Sequence, residues 1–332
     1  MTLVPRIALA LGLAALIALV VGEGAGTLAS LLSHAGWILL LLVPLQVMPM
    51  MFDVLGWRVL IAAPTPVSAL FLIAWIRQAI NRLLPVASVG GEIAGVRLLR
   101  RQGVGGVAAA ASIIVELMLG LVAQYLFVAL GVLCLCPRAG QGGAGTRMLQ
   151  ALLIGLASSL PPLILMFIVL RDGQVFLRIE RTARRFLGGW LSDELMADHG
   201  ARLDEEVRGI FTGSMRVGRS IIWQLGGYIV GASEVWFALR WLGHPVGVGD
   251  ALALESLTQA AKSVFFMVPA ALGVQEAGLM GVGLLLGLGP DVTLALSLAK
   301  RLREVLFGVP ALLVWQWKEV AGAGAKPAPP RG

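Results

Sequence analysis

The chain has 332 residues, of which 58% are hydrophobic and only 14% charged, and its mean hydropathy is +0.87. Soluble domains carry roughly 25% charged residues, so this composition excludes an ordinary soluble protein and points to a bilayer. The net charge of +7 is not a nucleic-acid signature, because no basic domain stands apart and most arginines flank apolar segments, as cytoplasmic loops require.

A membrane helix needs about 20 mainly apolar residues. On that measure spans are expected near 6–24, 36–59, 104–134, 148–170, 217–241 and 291–316. The first has the length of a signal peptide. It lacks a clear small-residue cleavage site and has only Arg6 ahead of its apolar run, so it reads as an uncleaved span. Two further apolar regions, 66–100 and 250–288, are each interrupted. The first contains Pro85-Val-Ala-Ser-Val-Gly90-Gly91-Glu92, the second Pro269-Ala-Ala-Leu-Gly273-Val-Gln275-Glu276. Proline removes a backbone donor and glycine loosens a helix, so each region is expected as a re-entrant hairpin of two short legs. Irregular backbone at that depth needs protein or a wet cavity around it.

Arginines set the orientation. Arg97, Arg100 and Arg101 precede the third span, while Arg171, Arg178, Arg181, Arg184 and Arg185 follow the fourth. Both loops should be cytoplasmic, which places both termini inside and the glycine-rich 135–147 loop outside. Cys134 and Cys136, with His34, His199 and His244 scattered, make no zinc pattern, and neither metal nor cofactor is expected. The stretch 172–216 alternates arginines with Phe176, Ile179, Phe186, Leu187, Trp190 and Leu191. It reads as an amphipathic helix on an anionic membrane surface or as a packed cytoplasmic linker. Asp193, Glu194, Asp198, Asp204, Glu205 and Glu206 read as a solvated acidic face, and 319–332 as a disordered tail.

The Pro-to-Glu elements belong to a longer repeat at an offset of 184–185 residues, in which Ser112 matches Ser297 and Glu116 matches Arg301. Upstream, Asp53 corresponds to Glu234, and both are expected in a structural or coupling role. Residues 1–134 and 148–318 are therefore expected as two membrane repeats. Three spans lie between the hairpins, so the repeats should have inverted topology, as in many secondary transporters. The fold class is an all-α integral membrane protein of about six spans plus two re-entrant hairpins.

Charges buried in hydrocarbon each cost about 2.5–3.5 kcal/mol even on the lenient scale, so pairing or hydration is required. Glu116 and Arg301 are expected as partners across the repeat axis, either fixing packing or acting in coupling. Glu92 and Glu276 sit where a returning half-helix should begin. They either cap it or handle substrate, with Pro85, Pro269, Gly90, Gly91 and Gly273 shaping the break. Arg97, Arg301 and Arg303 are further candidates for countercharge, although Arg97 can equally reach the surface. There is no G-x-S-x-G, H-E-x-x-H or P-loop, and no enzyme is expected.

The stretches Leu84–Leu99 and Val268–Gly278, with Ser297-Leu-Ala-Lys-Arg-Leu-Arg-Glu304, Gly308-Val-Pro310 and Trp315-Gln316, resemble the lysylphosphatidylglycerol-synthase transmembrane (flippase-like) family. Gln124, Gln275-Glu276 and Arg301-Leu-Arg303 resemble its hopanoid-associated HpnL branch. The resemblance covers about residues 40–318 and implies an inner-membrane protein that moves or presents lipids. It also implies substrate handling by Glu92, Arg97, Gln275, Glu276, Arg301 and Arg303. Hopanoid or anionic phospholipid is the expected partner, with lipid-synthesis enzymes as further partners. The alternatives are a non-transporting scaffold for such enzymes, or a membrane-embedded enzyme using Glu92 or Glu276 as general base.

Overall fold

The computed structural model describes residues 36–84, 90–139, 143–172, 174–178, 199–264 and 274–324. The expected span at 6–24, Pro85, Pro269, Gly273, residues 173 and 179–198 of the 172–216 insert and residues 325–332 lie outside the described residues. Among the described residues every regular element is helical.

A 3-10 turn (Gly36–Leu41) and a short helical turn (Leu42–Leu45) lead into α1 (Val47–Arg58). Then come α2 (Val67–Leu83), α3 (Gly90–Arg100), α4 (Gly106–Ala139) and α5 (Gly143–Asp172). The second part of the chain holds α6 (His199–Thr212), α7 (Ser214–Trp241), α8 (Val248–Val264), α9 (Val274–Leu285) and α10 (Pro290–Gly324). Two stretches, Trp37–Arg58 and Gly106–Cys136, are long and apolar enough to cross a membrane by themselves. Helix occupies more of the chain than the sequence suggests. The 135–147 loop is helical at both ends, and α10 continues past 316 to Gly324.

The interrupted regions are helix pairs. Pro66 starts α2, whose buried residues Leu70, Ile73, Ile76, Arg77 and Ile80 recur at the three-to-four spacing of one helix face. Leu84 leaves the helix in extended conformation, as the residue before a proline must. The second helix of each pair is short: 11 residues in α3 and 12 in α9. At 1.5 Å per residue they reach about 16–18 Å, well under the roughly 30 Å of hydrocarbon.

Element order recurs along the chain. A helix (α1, α7), a two-legged pair (α2–α3, α8–α9) and a long helix (α4, α10) follow in the same sequence. Packing is reciprocal: α2 lies against α10, α8 lies against α4, and α1 crosses α7. Ala311 and Leu312 of α10 thus enter the core formed by α1–α3 around Trp57, Leu70, Ile76 and Leu99. Val132 and Leu135 of α4 enter the core of α7–α9 around Val235, Leu254 and Leu279. Outward faces are apolar as well, including Leu117, Leu121 and Leu133 on α4 and Ile154 and Leu165 on α5. A contiguous apolar exterior of this kind suits lipid contact.

The acidic stretch is not wholly solvated. Glu205 and Glu206 are exposed. Asp204, by contrast, is buried on α6 and accepts hydrogen bonds from the Phe176 and Leu177 amides at 3.3 and 3.0 Å. Val207, Ile210 and Phe211 pack α6 against Leu60, Val115 and Leu119, which pulls that face inward.

The α1–α7 crossing is close because glycines line it. A Cβ at Gly227 would lie 2.9 Å from Asp53 Oδ1 and 3.2 Å from both the Pro49 carbonyl and Phe52 Cβ. Gly227→Val should therefore destabilise the protein by about 1–3 kcal/mol, read as a lowered melting temperature in detergent. Gly281→Ala, where nothing lies within 4 Å, should be neutral or slightly stabilising.

Candidate functional site

The first cluster is built on α2. Arg77, buried among apolar neighbours, donates to Glu92 Oε2 of α3 through Nε (2.9 Å) and a terminal nitrogen (2.5 Å). The same terminal nitrogen donates to Glu116 Oε2 of α4 at 2.7 Å. One guanidinium therefore joins three helices. Its carbon lies 4.9 Å from the centre of the Trp57 ring, and Trp57 in turn donates to Ser112 Oγ at 3.3 Å. Asn81, one turn after Arg77, donates to Glu92 Oε1 (3.0 Å) and accepts from the Gly91 amide (2.9 Å). That amide is one of the unpaired donors at the start of α3, so Asn81 supplies the capping that the sequence suggested for Glu92.

Glycine is required here by space. A Cβ at Gly91 would sit 2.5 Å from the Arg77 carbonyl and from Asn81 Oδ1, and one at Gly95 would sit 2.6 Å from Arg77 Cδ. Only a bare backbone lets α3 approach α2 closely enough for Arg77 to pass beneath it and reach Glu116.

The second cluster uses the same positions with other chemistry. Lys262 of α8 donates to Gln275 Oε1 at 2.9 Å, and Gln275 donates to Ser297 Oγ of α10 at 3.2 Å. Ser297 donates to Glu276 Oε1 at 2.8 Å. Arg301, at the position matching Glu116, lies 3.4 Å from the same Glu276 oxygen. The other Glu276 oxygen is buried and has no hydrogen bond among the described residues. The first cluster has two acids around one base, whereas in the second a single base, Arg301, pairs with Glu276 and Lys262 is held by the Gln275 amide.

One turn of α10 then ties the bundle together. Lys300 pairs with Glu255 of α8, and Arg301 with Glu276 of α9. Arg303 grips Glu234 of α7 with two bonds of 2.8 and 2.9 Å, while Glu304 takes Arg82 of α2 at 3.1 Å and Arg301 at 3.6 Å. Successive side chains of an α-helix point about 100° apart, so these four reach four different helices.

Glu92, Glu276, Gln275, Arg301 and Arg303 are thus brought into buried polar networks, with Gly90 and Gly91 opening α3. Arg97 is exposed on α3, away from these networks, where its long stem reaches outward. The expected Glu116–Arg301 pair is replaced. Arg77 is nearer to Glu116, and Arg301 turns to Glu276 and Glu304 within its own half. Gln124 joins the second half, donating to the Gln259 carbonyl and to Ser263 Oγ. Asp53 lies at the α1–α7 crossing, and Glu234 is locked by Arg303. Sequence reasoning missed Arg77, Asn81 and Arg82. The available signal was a polar residue pair at i and i+4 within an apolar helix face.

A family model described as "Lysylphosphatidylglycerol synthase TM region" matches residues 6–311 of the chain. No curated protein matches it, and no solved structure does.

Removing Arg77 would leave two buried carboxylates facing each other. Arg77→Met should cost about 3–5 kcal/mol, seen as loss of the folded monodisperse species in detergent or a large drop in melting temperature. Adding Glu92→Gln and Glu116→Gln should recover much of that loss.

Proposed function

This chain belongs to the lysylphosphatidylglycerol synthase TM family, and we propose that it carries polar lipids from one leaflet to the other. The family makes it a multi-pass membrane protein of lipid metabolism or transport; translocation itself is our reading. We read α1–α4 and α7–α10 as inverted-topology repeats, and α2–α3 and α8–α9 as re-entrant hairpins whose short legs end within the bilayer. The reading places the protein in the inner membrane with both termini cytoplasmic, on the arginine distribution.

The observation that carries the proposal is the matched pair of ion networks where each short leg begins: Glu92 with Arg77 and Glu116, and Glu276 with Arg301. A head group crosses hydrocarbon slowly because its polar atoms lose water. Charged side chains buried beside a broken helix offer replacement contacts part-way across, and transporter sites are commonly formed there. Glu92, Gln275, Glu276, Arg301 and Arg303 would bind or gate the head group. The likeness of Gln275-Glu276 and Arg301-Leu-Arg303 to the HpnL branch supports hopanoid or a related polar lipid as cargo. The carboxylates are held by bases rather than poised against a nucleophile, so we read the protein as a transporter and not an enzyme.

The test is lipid translocation in vesicles reconstituted with purified protein, using polar hopanoids and anionic phospholipids as probes. Wild type should exceed empty vesicles for at least one probe. Glu92→Gln and Glu276→Gln should each lose about ten- to a hundredfold, as expected when a charge-assisted contact of about 1.5–3 kcal/mol is removed. Wild-type rates equal to empty vesicles across all probes would refute transport.

A further inference from the structure

Seven carboxylates lie on α1–α4 and α7–α10 at the helix crossings: Asp53, Glu92, Glu116, Glu234, Glu255, Glu276 and Glu304. Six have a basic partner within salt-bridge distance. Among the described residues Asp53 has no ion pair and no hydrogen bond. Its counterpart explains the difference. Glu234 stands 181 positions after Asp53, the same separation as between the starts of α2 and α8. Arg303, which neutralises Glu234, corresponds to Met118 at the 185-residue separation that relates Ser112 to Ser297 and Glu116 to Arg301. Met118 is buried in an apolar cluster, so the first half has no base where the second half has one.

The position of Asp53 is as telling as its missing partner. It is half-buried, with Oδ1 against Gly227, near the middle of the 28-residue α7. Each end of that helix is about 20 Å away at 1.5 Å per residue. The surrounding contact is the glycine-lined crossing of α1 and α7, where Gly56 faces the Ser220 carbonyl and Gln224, and Gly226 faces Phe52. It joins the corresponding helices of the two halves. The titratable and charged groups within reach are Tyr228 on α7, Arg77 and Arg82 on α2, and Glu116 on α4. Arg77 is engaged by Glu92 and Glu116, and Arg82 by Glu304.

We propose that Asp53 is a proton-binding site that couples lipid movement to a proton gradient, an inference that rests on the transport reading. When ionised, the carboxylate brings an uncompensated charge into the crossing and favours a hydrated, separated arrangement of α1 and α7. When it takes a proton onto one oxygen, the charge is gone and the helices can close on their glycines. A buried ionisable group without a partner is costly in one state and cheap in the other, which is the property a coupling site needs. The glycine-lined contact lets a small change at that point alter how the halves cross.

Two measurements on the full-length protein test this. Infrared titration in nanodiscs should show the carbonyl band of a protonated carboxylic acid that vanishes on raising pH. The band should be missing from Asp53→Asn and shifted in Asp53→Glu. Its presence in Asp53→Asn, or its absence from wild type at every pH, overturns the proposal whether or not lipid moves. In reconstituted vesicles with an imposed pH difference, wild type should drive about tenfold lipid accumulation per pH unit for one proton per lipid. Asp53→Asn should retain lipid exchange without accumulation, while Glu234→Gln should retain the gradient response in whatever exchange it supports. Wild-type exchange that ignores the gradient overturns coupling and leaves the transport reading standing. No exchange at all overturns the transport reading and the coupling with it.

Discussion

All the carboxylates at the helix crossings but Asp53 answer to one constraint: a charge placed in hydrocarbon must find its opposite. The chain meets it chiefly on a single turn of α10, where Lys300, Arg301, Arg303 and Glu304 bond to α8, α9, α7 and α2. Helices without a hydrophobic drive toward one another in lipid rely on packing and polar contacts for their arrangement. Here those contacts are directional and each side chain of the turn reaches a different helix, so they specify which helix sits beside which. Apolar packing then fills the space around a polar frame, with Leu254 and Leu279 on one side and Leu70 and Ile76 on the other.

The two halves satisfy that constraint differently. In the first, Gly91 and Gly95 leave room for a guanidinium that serves two acids. In the second, Gln275 fills the position of Gly91, Lys262 stops at its amide, and the base for Glu276 comes from α10. The order of helices is kept while the pairing changes: one base serves two acids in the first network, and separate bases serve Glu234, Glu255 and Glu276 in the second.

Much of this was legible in the sequence. Composition and apolar run lengths marked Trp37–Arg58 and Gly106–Cys136 as membrane-length stretches, and the two Pro/Gly elements run into the starts of α3 and α9. The 185-residue spacing marked Ser297 and Arg301 as positions with counterparts. Pair assignments were not legible, because linear spacing says which residues occupy similar positions and not which side chains can touch. Glu116 and Arg301 match in register and still choose other partners. Asn81 at the start of α3 and Asp204 beneath residues 176–177 were hidden for another reason. Each acts on backbone amides far away in sequence, through contacts that exist only after the helices pack.

The placement of the charged turn late in the chain has a consequence for how the molecule is made. Glu234, Glu255 and Glu276 all emerge from the ribosome before their bases at 303, 300 and 301, and Arg82 emerges more than 200 residues before Glu304. Until α10 arrives, those earlier groups must stay hydrated, protonated or sheltered by the insertion machinery. Its entry neutralises them together, so these helices lock in one concerted step rather than by gradual accretion.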